Sequence, residues 1–313
     1  MPGGGDYGTR GIPCEAMRLI SYSSDRGVRA GAVEGEHVTD LWDALGHGDG
    51  AEPDGARAAR AGALPTGLRA ALERHPAAEI AAAVAASDPG PALADIDLLS
   101  PITDPQKIVC IGLNYRAHAA EAGMDPPQTP TFFAKFANAL ADPGATVRLP
   151  AASAKVDYEA EVAFVIGARA SEVSEADALA HVAGYTLLND LSARDLQFAT
   201  PQWIPGKVFD GSAPCGPWLL TPDEAPPPDE IPIALDLNGE RMQESHTGDL
   251  VHGVAELIAH LSTLMTLEPG DIVSTGTPEG VGSTRQPRVW LAEGDEVVVS
   301  SPALGELRTT IAR

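Results

Sequence analysis

The stretch from Asp157 to Asp190 restricts the fold of this chain more than any other. In Val156-Asp157-Tyr158-Glu159-Ala160-Glu161-Val162, apolar and acidic residues alternate, and a period of two is the signature of a β-strand. That period would send Asp157, Glu159 and Glu161 to one face. Three adjacent carboxylates repel one another, and burying them is costly without a compensating cation. A solvated strand face would avoid the cost, but the run continues as Ala163-Phe164-Val165-Ile166, which has the character of a buried strand. A helix later, the apolar run Tyr185-Thr186-Leu187-Leu188 ends in Asn189-Asp190, a further carboxylate at the end of a second strand. Oxygen-only ligands select a hard cation, Mg²⁺ or a relative such as Mn²⁺ or Ca²⁺, over zinc. The stretch is read as a metal site.

The remainder of the chain excludes several classes of function. A net charge of −23 argues against nucleic-acid and anionic-membrane partners, both of which need basic patches. No stretch approaches the length of a membrane span. Cys14, Cys110 and Cys215 are too scattered for a disulfide framework or a paired-cysteine metal site. The first residues have neither a basic nor an apolar region of the kind that directs secretion. A cytoplasmic protein is expected, and 313 residues suffice for one large core and a smaller domain.

Taken in order, residues 1–16 are Gly-rich and are expected to form a disordered extension. Residues 17–95 form a small accessory domain of short strands, a polar loop over Asp49–Gly55, and an Ala-rich helix over Thr66–Ser87 closed by Asp88-Pro89-Gly90-Pro91. Residues 96–313 form the larger domain. It opens with the apolar strand Lys107–Gly112, which leads into Asn114-Tyr115-Arg116-Ala117-His118-Ala119-Ala120-Glu121. His118 and Glu121 are three apart and share one helical face, so the acid could fix the imidazole tautomer and make the other nitrogen a better base. Gly123–Pro130, rich in proline, is expected to be a loop that orders over a site. Ser171–Val182 is expected as an acidic-fronted, Ser-capped helix. Lys207, close to a cluster of carboxylates, would balance charge or hold a substrate carboxylate. Asn238-Gly239 predicts a type I′ hairpin turn. The stripe Leu250, Val254, Leu257, Ile258, Leu261, Leu264 predicts a core-facing helix. Thr275–Gly282 is a Gly-rich loop without phosphate-loop spacing, whose amides and hydroxyls could bind a carboxylate.

Five separate motifs then agree in order: N-Y-R-A-H-A-A-E at 114–121, D-Y-E-A-E at 157–161, N-D-L-S-A-R-D-L-Q at 189–197, G-K-V-F-D-G-S-A-P at 206–214 and T-G-T-P-E-G-V-G at 275–282. Together they resemble the fumarylacetoacetate hydrolase family over residues 105–313. The resemblance implies an α+β, mainly β fold: a C-terminal mixed β-sandwich roll with a small N-terminal α+β domain, in a homodimer. It implies that Glu159, Glu161 and Asp190 bind Mg²⁺ or Mn²⁺, with Asp157 outside the ligand set. His118 and Glu121 would be the catalytic dyad, Lys207 the active-site lysine, and Tyr115, Arg194, Gln197 and Thr277 substrate-binding positions. The implied reaction is hydrolysis of the C–C bond of a 2,4-dioxo acid of the acylpyruvate type, as in aromatic catabolism, through an ion-stabilised pyruvate enolate. Decarboxylation or isomerisation of oxaloacetate-like or 2-oxo-enoate acids is the alternative. A non-catalytic binding protein of the same fold is the third reading, which the intact ligand set and dyad disfavour. One departure concerns the turn Ser245-His246-Thr247, where the family has Ser-Asn-Thr; if that turn bordered the site, the usual substrate would be in question.

Overall fold

The computed structural model describes residues 17–47 and 66–313; the extension 1–16 and the polar loop Asp49–Gly55 lie outside the described residues. The larger of its mixed sheets runs, edge to edge, through His37–Asp40, Gly27–Glu34, Arg18–Ser24, Ala213–Leu220, Val182–Asn189, Ala160–Ile166, Ile272–Ser274, Ile108–Gly112 and Thr131–Lys135. A second sheet orders Glu240–His246, Pro232–Leu237, Glu296–Ser301, Gly305–Ala312 and Thr146–Arg148. Most neighbours are antiparallel, but Ile272–Ser274 runs parallel to Ile108–Gly112 and Gly305–Ala312 parallel to Thr146–Arg148. The mainly β, mixed-sheet architecture expected from the sequence is thus present.

The central strand Ala160–Ile166 is buried at all seven positions. Val162, Phe164 and Ile166 enter one hydrophobic core, and Ala163 and Val165 enter another on the opposite face. Each fully buried Val, Ile or Phe contributes about 1.5–3 kcal/mol relative to exposure, so the strand carrying Glu161 is firmly held. The helix Val254–Leu264 packs Leu257, Ile258 and Leu261 into the first core, on the stripe its 3.6-residue period defines. The Asn238-Gly239 turn has positive φ at both residues, 53° and 79°, the geometry a type I′ hairpin requires.

Arg18–Ser24 pairs directly with Ala213–Leu220, and Leu19, Trp42 and Leu68 share a core with Cys110 and Ala163. Two expectations are revised. The single helix over Thr66–Ser87 is two, Leu68–Arg74 and Ala77–Ala85, interrupted at His75 with φ −127° and ψ 127°. Pro76 is the cause, because a residue preceding proline is sterically driven out of the α region. The helix over Ser171–Val182 shortens to Glu175–Ala178 and one 3₁₀ turn. Val182 instead opens the β-branched and apolar strand Val182–Asn189, whose eight residues are all buried; sheet pairing overrides the helical pattern there.

Candidate active site

The acidic stretch is two strands rather than one. Val156–Asp157 pairs with Ser192–Ala193 in a small ribbon, and the large-sheet strand starts only at Ala160. This break separates Asp157 from the two glutamates. The Asp157 carboxylate accepts from the amides of Gly282 (2.7 Å) and Ser283 (3.0 Å) and pairs with the Arg194 guanidinium at 2.8 Å. It therefore anchors a loop, and Glu159 and Glu161 turn to the cavity with Asp190. The ligand-type oxygens of Glu159, Glu161 and Asp190 all lie within 4.8 Å of one another, and all three residues are buried.

Three cations offset most of this charge. Lys207 Nζ bridges Glu159 Oε2 (2.6 Å) and Asp190 Oδ2 (2.8 Å). Arg194 Nη2 reaches Glu159 Oε1 at 2.7 Å as well as Asp157. Lys135, 2% exposed, lies 2.8 Å from Asp190 Oδ1 and donates to the carbonyls of Lys207 and Ser212. Burial works against the charged form of Glu159, yet Arg194 and Lys207 outweigh it and hold its carboxyl far below the usual range. The same carboxylates keep Lys207 charged against its own burial.

Glu161 differs from the other two. Among the described residues it has no ion pair; it accepts only from Ser274 Oγ (2.5 Å) and the Gly276 amide (3.1 Å). Burial, then Asp190 and Glu159, push its carboxyl well above the ordinary value. Four carboxylates (Asp157, Glu159, Glu161, Asp190) face three cations (Lys135, Arg194, Lys207), so the fully ionised floor carries one uncompensated negative charge, located at Glu161. An all-oxygen, buried donor set with that surplus fits a hard divalent cation.

The Gly-rich loop binds carboxylates, as its composition suggested, but they are the protein's own. Gly276, Gly280 and Gly282 donate their amides to Glu161, Glu121 and Asp157 respectively. Gly276 has φ of +98°, and a Cβ there would lie 3.0 Å from the Ile111 carbonyl, so glycine is required for that approach.

His118 and Glu121 lie on the helix Arg116–Glu121, with Nδ1 3.5 Å from Oε2. Burial raises the Glu121 carboxyl, but the His118 and Thr284 side chains beside it and the Gly280 amide outweigh it and lower it overall. His118, Glu159, Glu161, Asp190, Arg194, Gln197, Lys207 and Thr277 share the wall of one cavity of about 430 Å³. Tyr115 is not on that wall: it is fully buried behind it, its hydroxyl without a hydrogen-bond partner. It directly precedes the helix Arg116–Glu121 and forms a β-bridge with Leu250. His246 is also away from the cavity and caps its own turn through the Gly248 amide at 3.1 Å. The Ser-His-Thr departure therefore does not touch the site.

Two supporting residues escaped the sequence reading. Lys135 follows Phe133 on the inward face of Thr131–Lys135; a lysine in phase with the apolar positions of a strand was the available signal. Gln243, 1% exposed, accepts from the Ala160 amide (2.9 Å) and donates to Thr277 Oγ1 (2.8 Å), tying the central strand to the Gly-rich loop. Lys135→Met would leave Asp190 partly uncompensated in the interior, and a loss of about 3–5 kcal/mol in chemical denaturation is expected.

The loop after the dyad is fastened from behind. His252, 5% exposed, sets Nε2 2.9 Å from the Pro127 carbonyl and Nδ1 2.7 Å from Glu256 Oε1. Hydrogen exchange of residues 123–130 is expected to be faster in His252→Ala, and to slow in the wild type when a 2-oxo acid such as oxalate binds. Equal protection in free and ligand-bound protein would rule out gating by this loop.

A mainly β, mixed-sheet fold that gathers three buried carboxylates able to hold a metal ion on the same cavity wall as His118 has the features of an enzyme. Residues 107–312 match the family profile described as "Fumarylacetoacetate (FAA) hydrolase C-terminal", and the chain belongs to the fumarylacetoacetate hydrolase family. It is 45% identical over 213 residues to the mitochondrial oxaloacetate tautomerase FAHD2B of Bos taurus, covering 67% of this chain and 68% of that protein. Among solved structures it is similar to the fumarylacetoacetate hydrolase of Exiguobacterium antarcticum (TM-score 0.77, 29% identity, 95% of this chain and 100% of that one). Maleylpyruvate hydrolase from Sphingobium sp. SYK-6 superposes with a TM-score of 0.74 at 31% identity over 95% of this chain and 99% of that one. No described helix is long and apolar enough to cross a membrane.

Proposed function

We propose that the protein is a Mg²⁺- or Mn²⁺-dependent hydrolase that cleaves the C–C bond of a 2,4-dioxo acid. The observation that carries this reading is that His118, with Glu121 3.5 Å behind it, lines the same cavity as Glu159, Glu161 and Asp190. When bound to the three carboxylates, a divalent cation supplies Lewis acidity to the oxygens of a 2-oxo acid. The chain's own residues do the rest. Glu121 holds the imidazole by Nδ1, which leaves Nε2 as the base that takes a proton from water attacking the 4-carbonyl. A 3.5 Å separation is loose, as such pairs often are before substrate binds. Lys207 and Arg194 offer positive charge where the cleaved fragment gathers negative charge. Gln197 and Thr277 offer a hydrogen-bonding amide and hydroxyl on the same wall.

A second reading, tautomerisation or decarboxylation of an oxaloacetate-like acid, draws on the 45% identity to an oxaloacetate tautomerase; tautomerisation would use the same base on a carbon-bound proton, whereas decarboxylation would release CO₂ and leave the enolate without using it. A cavity of about 430 Å³ has room for an acyl substrate longer than oxaloacetate. Assay of the Mg²⁺-loaded protein against acylpyruvates and oxaloacetate separates the readings: acylpyruvate cleavage faster than oxaloacetate turnover is expected. Full activity after stripping with EDTA would overturn the metal assignment.

A further inference from the structure

Gln243 belongs to Glu240–His246, an edge strand of the second sheet, yet its side chain serves the central strand and the Gly-rich loop of the first. Its Oε1 accepts from the amide of Ala160, the residue between Glu159 and Glu161, at 2.9 Å. Its Nε2 donates to the Pro278 carbonyl at 2.9 Å and to Thr277 Oγ1 at 2.8 Å.

These partners fix which end of the amide is which. A backbone N–H can only donate and a carbonyl can only accept, so the oxygen faces Ala160 and the nitrogen faces Pro278 and Thr277. The Thr277 hydroxyl must therefore accept from Gln243. It still has one proton to give, and among the described residues Thr277 Oγ1 has no other hydrogen-bond partner. Thr277, 4% exposed, forms part of the cavity wall, and Gln243 does not. The free proton is thus left for whatever occupies the cavity.

We infer that Gln243 is a positioning residue that holds the Thr277 hydroxyl as a donor to an anionic oxygen of the ligand. The inference rests on the proposed function in taking the cavity as the place of a 2-oxo acid. One amide bonds the strand that carries Glu159 and Glu161 through its oxygen and Thr277 through its nitrogen. The donor is thereby set at a fixed place relative to the carboxylates. Without that amide the hydroxyl would be free to rotate, and binding would have to order it.

The test is a double-variant cycle read as oxalate affinity, measured by calorimetry on protein saturated with Mg²⁺ so that changes in ion affinity drop out. Thr277→Val should weaken oxalate by about 10- to 100-fold, the range of a hydrogen bond to a charged group. Thr277→Ser, which keeps the hydroxyl, should stay within about threefold of the wild type. Gln243→Met keeps the volume, removes the amide, and should weaken oxalate by about 2- to 10-fold. In the Thr277→Val background the same change should cost less than about twofold. A side chain that only supports the fold would cost the same factor in both backgrounds, and that result overturns the inference. So does Gln243→Met or Thr277→Val binding oxalate like the wild type. Gln243→Asn, one methylene too short to span both partners, replaces Gln243→Met in the cycle if the latter does not fold. Failure of the loaded wild type to bind oxalate would instead overturn the reading of the cavity floor, and the role of Gln243 with it.

Discussion

Glu161→Gln is expected to abolish turnover and, with it, the rise in melting temperature that Mg²⁺ or Mn²⁺ produces in the wild type. Bound ion stabilises by mass action, about 2.7 kcal/mol at one hundred times the dissociation constant, which for a chain of this size corresponds to about 5 °C. The variant removes the carboxylate that has no protein cation beside it, so the floor no longer carries surplus negative charge. Metal-free protein should show the opposite sign, because the wild-type carboxyl is raised by burial, Asp190 and Glu159. An acid whose folded pKa lies above its unfolded one binds more protons in the folded state. Metal-free wild type should therefore lose stability as pH rises above about 4.5, the unfolded value, whereas Glu161→Gln should lose less. A variant that keeps its metal-dependent stabilisation would remove Glu161 from the ligand set.

His118→Ala is expected to lower kcat for acylpyruvate hydrolysis by about 10²–10⁴-fold, the usual consequence of losing a general base. Oxalate binding should barely change, because Glu159, Glu161, Asp190 and Lys207 remain in place. Oxaloacetate decarboxylation needs no attacking water and should suffer less from the same substitution. Glu121→Gln should show a milder form of the pattern, since it removes the orienting charge and keeps the imidazole. Equal losses in both reactions would assign His118 to positioning or to a shared proton, and unchanged hydrolysis would take it out of the mechanism.

Most of the candidate site was legible in the sequence because each part is local. A two-residue period exposes Glu159 and Glu161, a three-residue spacing pairs His118 with Glu121, and Asn189-Asp190 ends a recognisably apolar strand. The motifs around them have fixed order, so the family follows from the chain alone.

Other features depended on contacts between segments far apart. Asp157 has the same phase as the two glutamates, and only the ribbon with Ser192–Ala193 and the amides of Gly282 and Ser283 turn it into a loop anchor. Lys135 is remote in sequence from Asp190, and burial at the sheet edge creates the pair. Tyr115 lies within a site motif but is packed behind the wall. Strand pairing to Ala213–Leu220 joins residues 17–95 to the large sheet, which no local pattern announces. Period and spacing report which face a side chain takes within its own element. Which element that face then meets is set by sheet register and by the burial of charge against charge, and those were decided only in three dimensions.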